Sequence, residues 1–251
     1  ERSVPRYSFP SPMNDLGRQV VAYCNAMQIH IPWHWTYRTL AGRCPRLFNT
    51  VFGAINDRTR IVRPDTGLVI EGFPRSANSF SVFAFLNSGA GDMALAHHVH
   101  SPSQIILAAK YGIPAILLVR TPEDAVIAGV AKIATHTAPD LLRAYAVYYE
   151  SLLPLRKHYV IAPFETVTSD VGRIVSAVNR RFETSFAPVT PDRHTQLSKA
   201  FLAQEKLDGL AKPPPNTPES LPPPLLSGRL VDRARAAHEC MLAAAAEDGT
   251  I

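Results

Sequence analysis

Residues 69–80, VIEGFPRSANSF, set Pro74, Arg75, Ser76, Ala77, Asn78, Ser79 and Phe80 directly after an apolar run. The frame is that of the phosphate loop GxxxxGK[ST], where Gly admits close backbone approach, Lys reaches the terminal phosphates and the hydroxyl holds magnesium. Gly72 keeps the first position, while Ala77, Asn78 and Ser79 stand where Gly, Lys and the hydroxyl residue belong. The lysine is missing. Strand, loop and helix still aim the main-chain amides of Ser76 to Phe80 at an anion, with the helix dipole behind them. What is lost is the apparatus for a triphosphate with magnesium.

A second stretch, Leu95-Ala96-His97-His98-Val99-His100, closes another apolar run. A nucleotide hydrolase or kinase needs a metal-binding acid at such a strand end. Imidazoles stand there instead. With a reference pKa near 6.5, imidazole suits removal of a hydroxyl proton at neutral pH. Extended geometry puts His98 and His100 on one face and His97 on the other, so His98 ranks first as base and His100 second. As metal ligands the pair lacks a third partner, and no metal site is expected. The competing reading is a trio that merely satisfies backbone groups at the sheet edge. His30, His34, His136, His158, His194 and His238 are read as structural, and Glu165 as a loop anchor. Phosphate cradle, Arg75 and histidines together suggest group transfer without a metal.

The third stretch is Leu117-Leu118-Val119-Arg120-Thr121-Pro122-Glu123-Asp124, an apolar run followed by a helix start. FPRSANSF, this RTPED segment and Phe164-Glu165, in that order and spacing, resemble the signatures of sulfotransferases that use 3′-phosphoadenosine 5′-phosphosulfate. The resemblance spans roughly residues 67 to 185. It implies that backbone amides with the hydroxyls of Ser76 and Ser79 hold the 5′-phosphosulfate, and that Arg75 sits by the bridging oxygen as the S–O bond breaks. It further implies that Arg120 pairs with the 3′-phosphate, that Phe164 lies near the adenine, and that the product is adenosine 3′,5′-bisphosphate. Ala77 and Asn78 depart from the family's Gly and Thr. Ala128 stands where a Ser commonly completes the 3′-phosphate site, a loss that Arg229 is proposed to offset.

These residues need elements to hold them. GLVIEGF, DMALAHHV, PAILLVR and HYVIAPF fit buried strands; SFSVFAFLNS, SPSQIILAAKYG, PEDAVIAGVAKIA and DLLRAYAVYYESLL read as helices between them. Such alternation implies an α/β fold, a three-layer sandwich with a mostly parallel central sheet and a P-loop-like strand, loop and helix. Ser101-Pro102-Ser103-Gln104 predicts a helix start with a capping box, and Thr121-Pro122-Glu123-Asp124 a second start. Both mark strand carboxyl ends, where open α/β sheets bind ligands. VTSDVGRIVSAVNRRF predicts one long amphipathic helix, residues 187–224 a Pro-rich arm with a partial helix at 198–210, and 230–246 a last helix.

Residues 1–66 are expected to be a basic extension with N-terminal helices, one over 14–28, packed on a 67–251 domain. At 251 residues, 46% hydrophobic and 19% charged, the chain can bury a sizeable core. Residues 1–75 hold ten Arg, no Lys and five acidic residues, so they carry the whole net charge of +5. That balance suits nucleotides, anionic lipid or sulfated and phosphorylated ligands, and the stretch IHIPWHWTYRTLAGRCPRLFNTVF is a candidate for peripheral membrane contact. Cys24, Cys44 and Cys240 share no CxxC spacing and are expected to be buried free thiols. No apolar run reaches about 18 residues, and the N-terminus carries no signal-peptide pattern, so the reading is cytoplasmic. The expected partner is a small-molecule or glycan acceptor, not nucleic acid. Two other readings stand: a non-catalytic anion- or membrane-binding protein on the same scaffold, and a P-loop kinase.

Overall fold

The computed structural model describes residues 38–40, 42–55, 58–132, 137–207 and 228–250. Short uninterrupted apolar runs become strands buried on both faces: β1 Leu68–Gly72, β2 Leu95–His97, β3 Ala115–Val119 and β4 Val160–Pro163. All pair in parallel in the order β2-β1-β3-β4, with Val69 opposite Ala115 and Ile116 opposite Val160.

Helices cover both faces. Val69, Leu117, Val119 and Ile161 face a layer built by α3 (Pro102–Tyr111), α4 (Pro122–Lys132), α5 (Ala138–Leu152) and α9 (Arg229–Glu247). Leu68, Ile70, Ile116, Leu118, Val160 and Ala162 face α2 (Asn78–Phe85), α7 (Val171–Phe182) and α8 (Pro191–Leu207). Each of these Val, Leu and Ile side chains contributes about 1.5–3 kcal/mol by burial. The chain leaves β1 over one face to reach β2 and returns over the other to β3. The carboxyl ends of β1 and β3 therefore flank a topological switch point, the usual place for a ligand crevice in such sheets.

The sequence-based boundaries hold for the strands to within a few residues, and differ in the helices for local reasons. Ser101 caps α3, accepting from Ser103 N at 3.4 Å, with Pro102 in the first turn. Gln104 does not complete a capping box. Its Oε1 accepts from Val62 N at 2.7 Å and its Nε2 donates to Asn49 Oδ1 at 2.8 Å, tying α3 to α1 (Pro45–Ile55) and the segment after it. The long helix expected over 167–182 is two helices, α6 (Phe164–Ser169) and α7, because the Asp170 side chain accepts from Gly172 N at 3.1 Å and caps the second.

Of the basic extension, the described part lies on the sheet's β2 side: Phe48 and Phe52 stack at 5.3 Å and bury against Val99. The helix expected over 14–28, Cys24, and residues 208–227 of the Pro-rich arm lie outside the described residues. Cys44 and Cys240 are exposed free thiols, not buried ones; each falls on the solvent side of its segment. Among the described residues no helix is long and apolar enough to cross a membrane.

Candidate active site

The loop after β1 is set by close contact with β3. A Cβ on Gly72 would lie 2.7 Å from both Cβ and O of Leu118, so only glycine lets the two strands approach here. Tyr149 then bridges them: its hydroxyl donates to Leu118 O at 2.8 Å and accepts from Phe73 N at 3.3 Å. Asn78 Nδ2 closes the loop by donating to Phe73 O at 3.2 Å. Within it Arg75 (φ 71°) and Ala77 (φ 65°) are left-handed. Each costs about 1–2 kcal/mol for a residue with a Cβ. No side chain caps α2 at Ala77, so its first amides are available to an anion.

Ala77→Gly therefore relieves the Cβ penalty, offset by about 0.4–1 kcal/mol of extra unfolded-state entropy. The expected net stabilisation is about 0.5–1 kcal/mol in urea unfolding. A decrease would show that position 77 is not left-handed.

Of the three histidines only His97 sits on a strand. β2 ends at His97, and His98 (φ 57°) and His100 (φ 54°) are both left-handed, so strand alternation does not govern their directions. His98 still meets both neighbours, with ring centroids 4.9 Å from His97 and 5.8 Å from His100. His98 Nε2 lies 3.0 Å from Ser79 Oγ, and its Nδ1 lies 2.8 Å from His97 Nδ1. His100 Nδ1 is 2.9 Å from Gly72 O. A carbonyl only accepts, so Nδ1 carries the proton and Nε2 the lone pair.

Loss of water pushes His98 well below the usual 6.5, and the neighbouring His97, His100 and Arg60 push the same way. Burial likewise lowers His100 to about 3; its bond to Gly72 opposes the shift, while Arg38 and Arg60 add to it. Both rings are neutral at pH 7.

The turn that carries them is held by three side chains. Glu71, buried in β1, accepts Val99 N at 2.7 Å and His100 N at 2.9 Å. Arg60 Nη2 donates to His98 O and Arg38 Nη1 to Val99 O, both at 3.1 Å. Two arginines of the basic segment thus serve main-chain carbonyls.

At the end of β3, Arg120 Nη1 donates to Arg75 O at 2.9 Å, and its guanidinium lies 4.2 Å from the centroid of the Phe164 ring. The Arg120 carbonyl accepts from Tyr145 Oη at 2.5 Å. Burial lowers the Arg120 pKa, with Asp124 at 4.0 Å opposing and Arg75 adding. Arg120 Nε, Asn78 Oδ1 and Thr121 Oγ1 are buried without a hydrogen-bond partner.

A cleft of about 620 Å³ brings together Pro74, Arg75, Ala77, Asn78, Ser79, Phe80, His98, His100, Arg120 and Phe164. Ser76 and Arg229 are not on its wall. The Ser76 side chain is turned inward and fully buried beside the Tyr149 hydroxyl, in no hydrogen bond of regular geometry. Arg229 opens α9, in the layer on the α5 side. The cleft also takes Thr168, Ser198, Phe201, Leu202 and Glu205, to which the sequence reading gave no role. The last four follow i, i+3, i+4, i+7 on α8, a spacing that marks one helix face. A smaller cavity of about 320 Å³ beside α7 contains none of the predicted site residues.

Among the described residues no group of three or more His, Cys, Asp or Glu side chains is arranged to hold a metal ion. No family model and no curated protein matches the chain. Among solved structures it is similar to the crystal structure of mouse sulfotransferase SULT7A1 complexed with PAP, at 12% identity and a TM-score of 0.43, over 72% of this chain and 83% of that one. So distant a likeness carries no argument. The α/β fold stands on the parallel sheet and its two helical layers, and the site on its own geometry.

Proposed function

We propose that the cleft transfers a sulfuryl group from 3′-phosphoadenosine 5′-phosphosulfate to a hydroxyl acceptor. The observation that carries this reading is the convergence of uncapped α2 amides, Arg75, Arg120 over Phe164, and two neutral histidines on one cleft at the switch point. The donor's chemistry fits the unpaired groups. The α2 amides and Arg75 line the cleft where an anion would bind, and the buried Arg120 Nε lacks a partner that a phosphate could supply.

In the transfer the acceptor oxygen bonds to sulfur as the bond from sulfur to the bridging oxygen breaks. The acceptor's proton passes to a histidine, and the leaving bisphosphate takes up the electron pair. Arg75 compensates the charge that grows on that leaving oxygen. What supports His100 ahead of His98 as base is its tautomer: the Gly72 carbonyl fixes the proton on Nδ1, so Nε2 can accept. No carbonyl fixes the His98 proton in this way, because Ser79 Oγ and His97 Nδ1 can each donate or accept.

The desolvation of His100 favours a second reading, anion binding without turnover. A conjugate acid of pKa about 3 makes His100 a weak base unless a bound anion raises it. A kinase is disfavoured because Asn78, in the lysine's place, commits its amide to Phe73 O.

The test is thermal unfolding with adenosine 3′,5′-bisphosphate. At a hundredfold excess over Kd the expected stabilisation is about 2.7 kcal/mol, or a Tm rise of about 5–10 °C for a chain of this size. No shift at millimolar ligand would overturn the reading, and a larger shift with ATP and magnesium would favour the kinase.

A further inference from the structure

We infer that Glu71 is a positioning residue for the proposed transfer, holding the turn that presents His98 and His100 by accepting the amides of Val99 and His100. The inference rests on the sulfuryl-transfer reading for its catalytic consequence, but the turn itself can be probed without it.

The turn does not support its own shape. Two left-handed residues within three positions, both with a Cβ, cost about 1–2 kcal/mol each. Such a conformation persists only where surrounding bonds over-determine it. The bonds come from three side chains: both Glu71 oxygens take amide protons, while Arg38 and Arg60 donate to the carbonyls of Val99 and His98. β1 then acts twice on one histidine. The Glu71 side chain holds the His100 amide, and the next residue, Gly72, holds the His100 ring through its carbonyl. The strand that ends in the phosphate-type loop thereby fixes the base relative to that loop.

A carboxylate is the group this arrangement requires. Ionised, above about pH 7, it offers two acceptor oxygens and no donor, whereas Gln presents one oxygen and an NH2 that would face the second amide donor to donor. Burial raises the Glu71 pKa to about 7, against the pull of the two amides and Arg60. Placing this group inside a strand is therefore costly, and the two amides are what it is used for.

The experiment compares full-length wild type with Glu71→Gln and Glu71→Asp. It reads hydrogen exchange at the Val99 and His100 amides, affinity for adenosine 3′,5′-bisphosphate, and kcat on a panel of simple alcohols and phenols. In Glu71→Gln the two amides should exchange at least tenfold faster and kcat should fall at least tenfold. Bisphosphate affinity should stay within threefold, and Glu71→Asp should recover part of kcat. Unchanged exchange at the two amides, or kcat within twofold of wild type, overturns the inference. So does an equal loss of affinity and kcat, which would mean a general structural role. If Glu71→Gln does not fold, Arg60→Met removes the partner of His98 O from outside the sheet and is read the same way. Wild type that fails to bind bisphosphate sinks the transfer reading, while the exchange measurement still decides the clamp.

Discussion

His100→Ala lowers kcat by about 10²–10⁴-fold, the range for losing a general base, while adenosine 3′,5′-bisphosphate binds within threefold of wild type. The affinity holds because the ring is tied to Gly72 O and not to the Arg120 end of the cleft. His98→Ala should cost less, about tenfold, because its nitrogens engage Ser79 and His97. Steady-state kinetics on the two variants decide between the rings; the reverse order of effects would make His98 the base.

The same rings set an acid limb to stability. His100 has a folded pKa of about 3 and an ordinary value of 6.5, so the unfolded chain binds the extra proton between those pH values. Its stabilising contribution is complete above 6.5 and is lost as pH falls toward 3, at about 1.4 kcal/mol per pH unit for one proton. Glu71 runs the other way. With its folded pKa raised from 4.5 to about 7, its contribution is present below 4.5 and lost as pH rises through 7. Between 4.5 and 6.5 the two offset, leaving the limb to His98. Below 4.5 the histidines act unopposed, and His100→Ala should flatten that part of a urea-unfolding pH series by about one proton.

Arg120→Ala weakens bisphosphate binding by about 30- to 1000-fold, corresponding to roughly 2–4 kcal/mol, the scale of truncating one partner of a desolvated charge pair. Three interactions go at once: the pairing proposed for a phosphate, the bond to Arg75 O, and the contact with Phe164. Arg120→Lys should rescue little, because an ammonium lacks both the planar fork and the stacking face. Calorimetry on the three proteins measures this. A Lys variant within threefold of wild type would show that charge alone is needed there.

Much of this arrangement was legible in the residues. Short apolar runs such as AILLV, bounded by turn signals, read as buried strands, and Pro after a hydroxyl residue marks the helix starts at Ser101 and Thr121. The directions of side chains after a strand were not legible, because they depend on φ values that the neighbours impose. That is why the alternation argument did not describe His97 to His100, and why Ser76 turns inward between two left-handed residues. Gln104 and Asp170 answer to partners distant in sequence or to a local cap, which no periodicity reveals. Glu71 had a signal that passed unused. A carboxylate within VIEGF, on a strand too apolar to face water, must have buried partners. The α8 face of Ser198, Phe201, Leu202 and Glu205 also had its spacing in the sequence, but nothing there said which element it would meet.

The Tyr149 hydroxyl joins Phe73, just after β1, to Leu118 near the end of β3, with Gly72 wedged against Leu118. Such a junction is shaped before any guest arrives. A ligand forfeits little of its interaction to ordering the protein, so crevice affinity should track the chemistry of the guest rather than the restlessness of the host.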